Sequence, residues 1–304
     1  MSSQEVRLGD ILLNNPIIPA SGTFGFGYEM NRFYDINLLG GIAVKAATLQ
    51  ARTGNPLPRI AECREGMLNA VGLQNLGVNA IIEQELPKLR RLYRGIVIAN
   101  VAGFSLEEYK EVASLLDAQE AVDILEINIS CPNVQHGGMA FGITAQGAAS
   151  VCKAVKSVSK KPVFMKLSPN VSNIGEIACA CEDAGADGLT MINTLLGMVV
   201  DPRTGKPIVS TKMAGFSGPA IKPVALRMVY EAYSRVSIPI IGVGGLSCAQ
   251  DVIEMMSVGA TAVQIGTQTL IDPWALQKIV EELPEVMDRY GIKSLSQIIG
   301  RSHE

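Results

Sequence analysis

Charged residues make up 18% of this 304-residue chain and hydrophobic ones 48%, with a net charge of −3. Against roughly 25% charge in an average soluble protein, this composition can fill a large core and excludes a disordered chain. Basic residues cluster only briefly, as in Lys88-Leu89-Arg90-Arg91, which reads as a solvated helix face rather than a nucleic-acid footprint.

No apolar run approaches the ~18–20 residues of a bilayer span. The opening MSSQEVRLGD lacks the basic flank and apolar stretch of a secretory signal. The sequence therefore places the protein in the cytoplasm, with no membrane partner. In that compartment Cys63, Cys131, Cys152, Cys179, Cys181 and Cys248 read as free thiols. With only His136 and His303 to help, no zinc or iron–sulfur site built by this chain alone is expected.

In chain order, GDILLNNP predicts a small hairpin turning at Gly9-Asp10, placed to close the bottom of the fold. Short apolar, β-branched runs then recur, each followed by a small or polar residue and a helix-like stretch. They predict strands at Pro16–Pro19, Ile42–Lys45, Ile96–Asn100, Ile124–Ile129, Val163–Leu167, Gly188–Ile192, Pro239–Val243 and Ala262–Ile265. Apolar residues at three- and four-residue intervals predict helices at Leu106–Leu116, Ala148–Val158, Ile174–Ala184, Pro223–Val236 and Ala249–Val258. Continuous apolar strands alternating with helices specify an α/β fold with a parallel sheet, and eight units fit a closed (β/α)8 TIM barrel. Insertions follow the second strand (Ala47–Glu83) and the sixth (Leu195–Gly218), on the side where such barrels build active sites. Residues 1–304 read as one domain.

Polar residues collect where the strands stop. Lys45, Asn100, Asn128, Lys166, Asn193 and Thr194 are far apart in sequence, yet a barrel brings strand ends to one mouth. A buried lysine needs a partner or an anionic ligand, and asparagine offers both donor and acceptor. The set suits a flat ligand carrying amide, imide or carboxylate groups. The last two units, IIGVGGLSCAQD and VQIGTQTL, place Gly242, Gly244, Gly245, Gly266 and Thr267 after strands seven and eight. That is the usual phosphate site of such barrels, and GFSGP (Gly215–Pro219) is a third turn able to complete it. GVGG is not the dinucleotide fingerprint and comes late in the chain, which disfavours a Rossmann site.

The fourth strand runs into INISCPNVQHGG. A cysteine in so apolar a chain is most often a small core residue, a reading that fits Cys152, Cys179, Cys181 and Cys248. Cys131 differs, lying past a strand end and before a glycine-flanked loop, Pro132 to about Gly142, suited to act as a lid. A nucleophilic pair with His136 and a thiol acting as general base both remain open on these residues alone.

Together PASGTFGFG, VKAAT, NAVGLQN, INISCPN, MKLSPN, MINT, GVGG and QIGT resemble the dihydroorotate dehydrogenase family, in family order over nearly the whole chain. EINISCPNVQHGGMAFG is similar to its NAD-linked, two-subunit class. The chain lacks the apolar N-terminal extension of the membrane-bound class, and the HGGMAFG run points away from the fumarate-reducing one. The resemblance implies FMN, with Ser21, Lys45, Ala46, Asn100, Asn128, Lys166 and Ile192 around the ring and ribityl chain. Gly218, Gly244, Gly245, Gly266 and Thr267 would hold the phosphate end. Asn69, Ala70, Val71, Gly72, Leu73, Asn128, Asn193 and Thr194 would hold the substrate, with Lys45 near both ligands.

The reaction so implied is oxidation of (S)-dihydroorotate to orotate in pyrimidine biosynthesis. Cys131 would remove the C5 proton, while the hydride from C6 goes to the flavin. Electrons would pass to NAD+ through a partner subunit carrying FAD and a [2Fe–2S] cluster. The resemblance further implies a homodimer of this chain and a heterotetramer with two copies of each subunit. Rival readings are a dihydropyrimidine dehydrogenase-like flavoenzyme, a fumarate-linked dihydroorotate dehydrogenase, a Schiff-base aldolase using Lys166, and a non-catalytic phosphate-ligand barrel.

Overall fold

A computed structural model of the chain describes residues 3–130 and 141–304. The N-terminal hairpin forms as expected, with β1 (Val6–Leu8) antiparallel to β2 (Ile11–Leu13) across a turn in which Gly9 has a φ of +60°. Val6, Leu8 and Leu13 are buried against the main core, so the hairpin caps the barrel through its apolar face.

Eight parallel strands follow: β3 (Ile17–Pro19), β4 (Gly41–Ala43), β7 (Ile96–Val101), β8 (Ile124–Asn128), β9 (Val163–Lys166), β10 (Gly188–Met191), β13 (Ile240–Val243) and β14 (Ala262–Ile265). They pair in the order β3-β14-β13-β10-β9-β8-β7-β4. The two ends meet where Gly40 N–H donates to the Ile17 carbonyl at 3.1 Å. The seam needs a glycine, because a Cβ at Gly40 would overlap the Asn15 carbonyl oxygen. The architecture is a (β/α)8 barrel.

Helices Leu106–Asp117, Ala145–Lys156, Ile174–Asp183, Lys222–Tyr233 and Ala249–Ser257 cover the sheet. In the first, Tyr109, Val112, Ala113 and Leu116 are buried, the i, i+3, i+4, i+7 stripe that makes it amphipathic. Ser105, Thr144 and Asn173 cap three of these helices by accepting backbone N–H groups. A further helix, Ala275–Arg289, follows the eighth strand and completes the last unit. Among the described residues, no helix is long and apolar enough to cross a membrane.

The two insertions join. β5 (Ile60–Cys63) and β6 (Gly66–Asn69) come from the first, β11 (Leu195–Gly197) and β12 (Ala214–Ser217) from the second, and they pair as β11-β12-β6-β5. Leu68, Ala70, Val209 and Ala214 form a separate small core in this sheet. Sequence periodicity did not reveal the pairing, since it joins segments more than a hundred residues apart.

Candidate active site

Strand geometry sets the depth of each polar side chain. Side chains two apart on a strand share a face, so Glu126 and Asn128 both project into the barrel from β8, Glu126 one layer deeper. In register, Asn100 on β7 lies beside Glu126, and Lys166 on β9 lies beside Asn128. Glu126 is fully buried and Lys166 is 5% exposed. The Lys166 Nζ stands 3.4 Å from Glu126 Oε1 and 3.2 Å from Gln264 Oε1 of β14.

Above this layer one cavity opens at the mouth. Ser21, Lys45, Asn69, Val71, Gly72, Leu73, Asn128, Lys166, Ile192, Asn193 and Thr194 line it, together with Gly218, Gly244, Gly245, Gly266 and Thr267. Residues from nearly every strand end and both insertions thus meet. Ser21 Oγ donates to the Val44 carbonyl at 2.7 Å, which pins the first strand end beside the second. Gly22, at φ +93°, brings the backbone close to Lys45, whose Nζ would lie 3.7 Å from an added Cβ.

Three of the residues named from the sequence lie elsewhere. Asn100 is 1% exposed inside β7 and donates to Glu126 Oε1 at 2.6 Å, so its amide serves the deeper layer rather than the cavity wall. Ala46 packs with Leu73 and Ala102. Ala70 belongs to the small core of the insertion sheet. Strand ends also shift: β4 stops at Ala43, so Lys45 stands two residues beyond it. Cys131, His136 and the Pro132–Ala140 part of the loop read as a lid lie outside the described residues.

Sequence reasoning missed Glu126, Gln264 and Ser217. The first two carried a readable signal, a charged or amide residue inside an otherwise continuous apolar strand (ILEIN, AVQI). Ser217 accepts from Thr267 Oγ1 at 2.7 Å, linking the end of the second insertion to the last barrel turn.

The glycine-rich end is shaped by close backbone approach. A Cβ at Gly244 (φ +134°) would lie 2.7 Å from Ala225 Cβ, one at Gly245 (φ +76°) 2.5 Å from Lys222 N, and one at Gly218 (φ +116°) 2.6 Å from Gly66 Cα. Only glycine leaves the backbone bare here. Beneath it, Lys222 Nζ reaches Asp251 Oδ1 at 2.5 Å and Glu254 Oε2 at 2.8 Å, and Asp251 Oδ2 accepts from Ser247 N–H at 2.7 Å. Burial pushes the Asp251 carboxyl up, but hydrogen bonds from Lys222 and Ser247 outweigh it and hold the group below the usual carboxylate range.

An apolar cavity with two lysines, three asparagines and a wall of bare glycines matches a planar, hydrogen-bonding ligand that carries a phosphate. The sequence matches the family model described as Dihydroorotate dehydrogenase over residues 4–287. The chain belongs to the dihydroorotate dehydrogenase family. Two curated relatives are named "Dihydroorotate dehydrogenase B (NAD(+)), catalytic subunit". The one from Bacillus pumilus is 56% identical over 297 residues, 98% of this chain and 96% of the relative. The one from Anoxybacillus flavithermus is 54% identical over 302 residues, 99% and 96% respectively. A crystal structure of a dihydroorotate dehydrogenase from Eimeria tenella, in complex with ferulenol, shares the fold at a TM-score of 0.82 and 20% identity. The superposition covers 99% of this chain and 89% of that one. Within the dihydroorotate dehydrogenase family, then, this chain is similar over nearly its whole length to proteins named as NAD(+)-linked catalytic subunits.

Proposed function

We propose that this chain oxidises (S)-dihydroorotate to orotate in pyrimidine biosynthesis, as an NAD+-linked dihydroorotate dehydrogenase. The observation that carries the reading is the meeting of Lys45, Asn69, Asn128, Lys166 and Asn193 in one cavity with Gly218, Gly244 and Gly245. Near-full-length identity to catalytic subunits of that name supports it and disfavours the dihydropyrimidine, fumarate-linked, aldolase and non-catalytic readings.

The residues present fit FMN. The bare backbone at Gly218, Gly244, Gly245 and Gly266, with the Thr267 hydroxyl, suits a phosphate. Lys166, Asn128, Ser21, Lys45 and Ile192 suit a planar polar ring. FMN, when bound, supplies an acceptor for the hydride that leaves C6 of the substrate, chemistry that no side chain offers. Asn69, Asn128, Asn193 and Thr194 orient the substrate through its amide and carboxylate groups, and Leu73 and Val71 exclude water from one side. Cys131 takes the C5 proton, a role assigned from sequence because it lies outside the described residues. Lys166 places positive charge where negative charge develops.

The "catalytic subunit" in the relatives' names supports a second subunit here. In this reading it carries FAD and a [2Fe–2S] cluster, takes electrons to NAD+, and joins a homodimer of this chain in a heterotetramer. Residues 1–304 act as one FMN-binding barrel domain in the cytoplasm.

The test is spectroscopic. Protein expressed alone should bind about one FMN per chain, and anaerobic (S)-dihydroorotate should bleach the flavin while dihydrouracil does not. A protein that takes up no FMN, or one bleached only by dihydrouracil, refutes the proposal. Co-expression with the neighbouring subunit should add NAD+ reduction.

A further inference from the structure

We propose that Glu126 is a positioning residue for the flavin site, fixing the place and charge balance of Lys166 and so tuning how strongly the cavity favours reduced over oxidised FMN. The inference rests on the flavin reading above. Glu126 does not line the cavity, whereas Lys166 does, so the carboxylate acts through the lysine.

The geometry of the layer is over-determined. Glu126 is fully buried, and each of its carboxylate oxygens is held: Oε1 accepts from Asn100 Nδ2 at 2.6 Å and from Lys166 Nζ at 3.4 Å, and Oε2 accepts from Gln264 Nε2 at 2.5 Å. Because the Gln264 amide nitrogen faces Glu126, its oxygen must face Lys166, and it accepts from the ammonium at 3.2 Å. The same logic fixes Asn100. Its nitrogen is spent on Glu126, so its oxygen is left to accept from Asn128 Nδ2 at 3.5 Å. One carboxylate therefore orients two cavity groups, Lys166 directly and Asn128 through Asn100.

Charge follows from the same contacts. A lone ammonium in so dry a place would act on a bound ligand almost unscreened. With Glu126 beside it, the ligand meets a pair of zero net charge whose positive end points outward. Removing the carboxylate exposes the full positive charge and favours the more negative, reduced flavin. Removing the lysine leaves a buried carboxylate and does the reverse. Removing both restores neutrality.

The experiment compares FMN-loaded wild type, Glu126→Gln, Lys166→Gln and the double variant by flavin midpoint potential, with circular dichroism as the check on folding. Glu126→Gln should raise the ratio of reduced- to oxidised-FMN affinity at least tenfold, about 30 mV for a two-electron couple. Lys166→Gln should lower it by a similar factor, and the double variant should return within about threefold of wild type. An unmoved or lowered potential in Glu126→Gln, or shifts of the same sign in both single variants, overturns the inference. If Glu126→Gln takes up no FMN, the double variant decides: regained FMN binding supports charge balance, and continued failure overturns it. Wild-type protein that binds no FMN refutes the flavin reading itself, an outcome distinct from a loaded Glu126→Gln with an unmoved potential.

Discussion

The Asn193 side-chain amide donates to Ser130 Oγ at 2.7 Å, joining the residues just beyond β10 to the last described residue before Cys131. The same amide nitrogen lies 3.4 Å from Asn128 Oδ1. Asn128 and Asn193, both proposed to hold the substrate, thus share one hydrogen-bond cluster with Ser130, which is fully buried within it. Loss of one such bond costs about 1–1.5 kcal/mol, near tenfold in rate if it is spent on positioning. Ser130→Ala should therefore keep its FMN while flavin reduction by dihydroorotate slows roughly tenfold. Stopped-flow bleaching checks this, and an unchanged rate would show that the cluster does not position the reacting groups.

Two glycines of the mouth should respond differently to the same added methyl. Gly245→Ala meets both a φ of +76° and the Lys222 nitrogen at 2.5 Å, so it should destabilise the FMN-free protein by about 2–3 kcal/mol. At Gly266 the added Cβ meets only Ala20 Cβ at 3.5 Å and Thr23 Cγ2 at 3.7 Å. That variant should cost less than about 1 kcal/mol. Urea unfolding of both variants gives the comparison, and equal costs would contradict the close approach at Gly245.

Asp251 links this turn to acid stability. Its folded carboxyl is held below the usual range, while an unfolded one titrates near ~3.9. The folded state therefore binds fewer protons there, so the stabilisation is complete above about pH 4 and drains away as pH falls through the folded value. Asp251→Asn should lose about 2–3 kcal/mol near neutrality, because Lys222 keeps Glu254 as a partner. It should also flatten the acid limb of stability against pH. A wild-type slope retained in the variant would assign the acid limb to other carboxylates.

Thiol reactivity should separate by burial. Burial pushes the Cys152 thiol up to about 11 and raises Cys181 as well, and both side chains are fully buried. Thiolate is the reactive form. At pH 8 an alkylating reagent should modify Cys179, which is partly exposed, well before Cys152 or Cys181. Peptide mapping after brief labelling tests this order, and early modification of Cys152 would contradict its packing.

Much of the architecture was legible because its causes are local. Alternating apolar runs and amphipathic stretches specify strands and helices through side-chain periodicity, and the eightfold recurrence specifies the barrel. Strand limits drifted by one or two residues, as at Lys45, because hydropathy does not mark where backbone pairing stops. The polar residues of the mouth were readable for the same reason, since each stands at or near a strand end. Asn100 and Ala46 stand behind the cavity lining because residues near strand ends differ in depth, and depth depends on register between neighbours.

What the sequence determined by itself was the set of chemical groups and their order along a barrel: two lysines, the asparagines, the late glycine turns and Cys131. Only the tertiary structure decided which groups meet. Glu126, Lys166 and Gln264 come from three strands, with up to 138 residues between Glu126 and Gln264. No sequence window contains them all. Sheet closure brings them within hydrogen-bond reach, and burial then turns three ordinary side chains into one charge-balanced unit beneath the cavity.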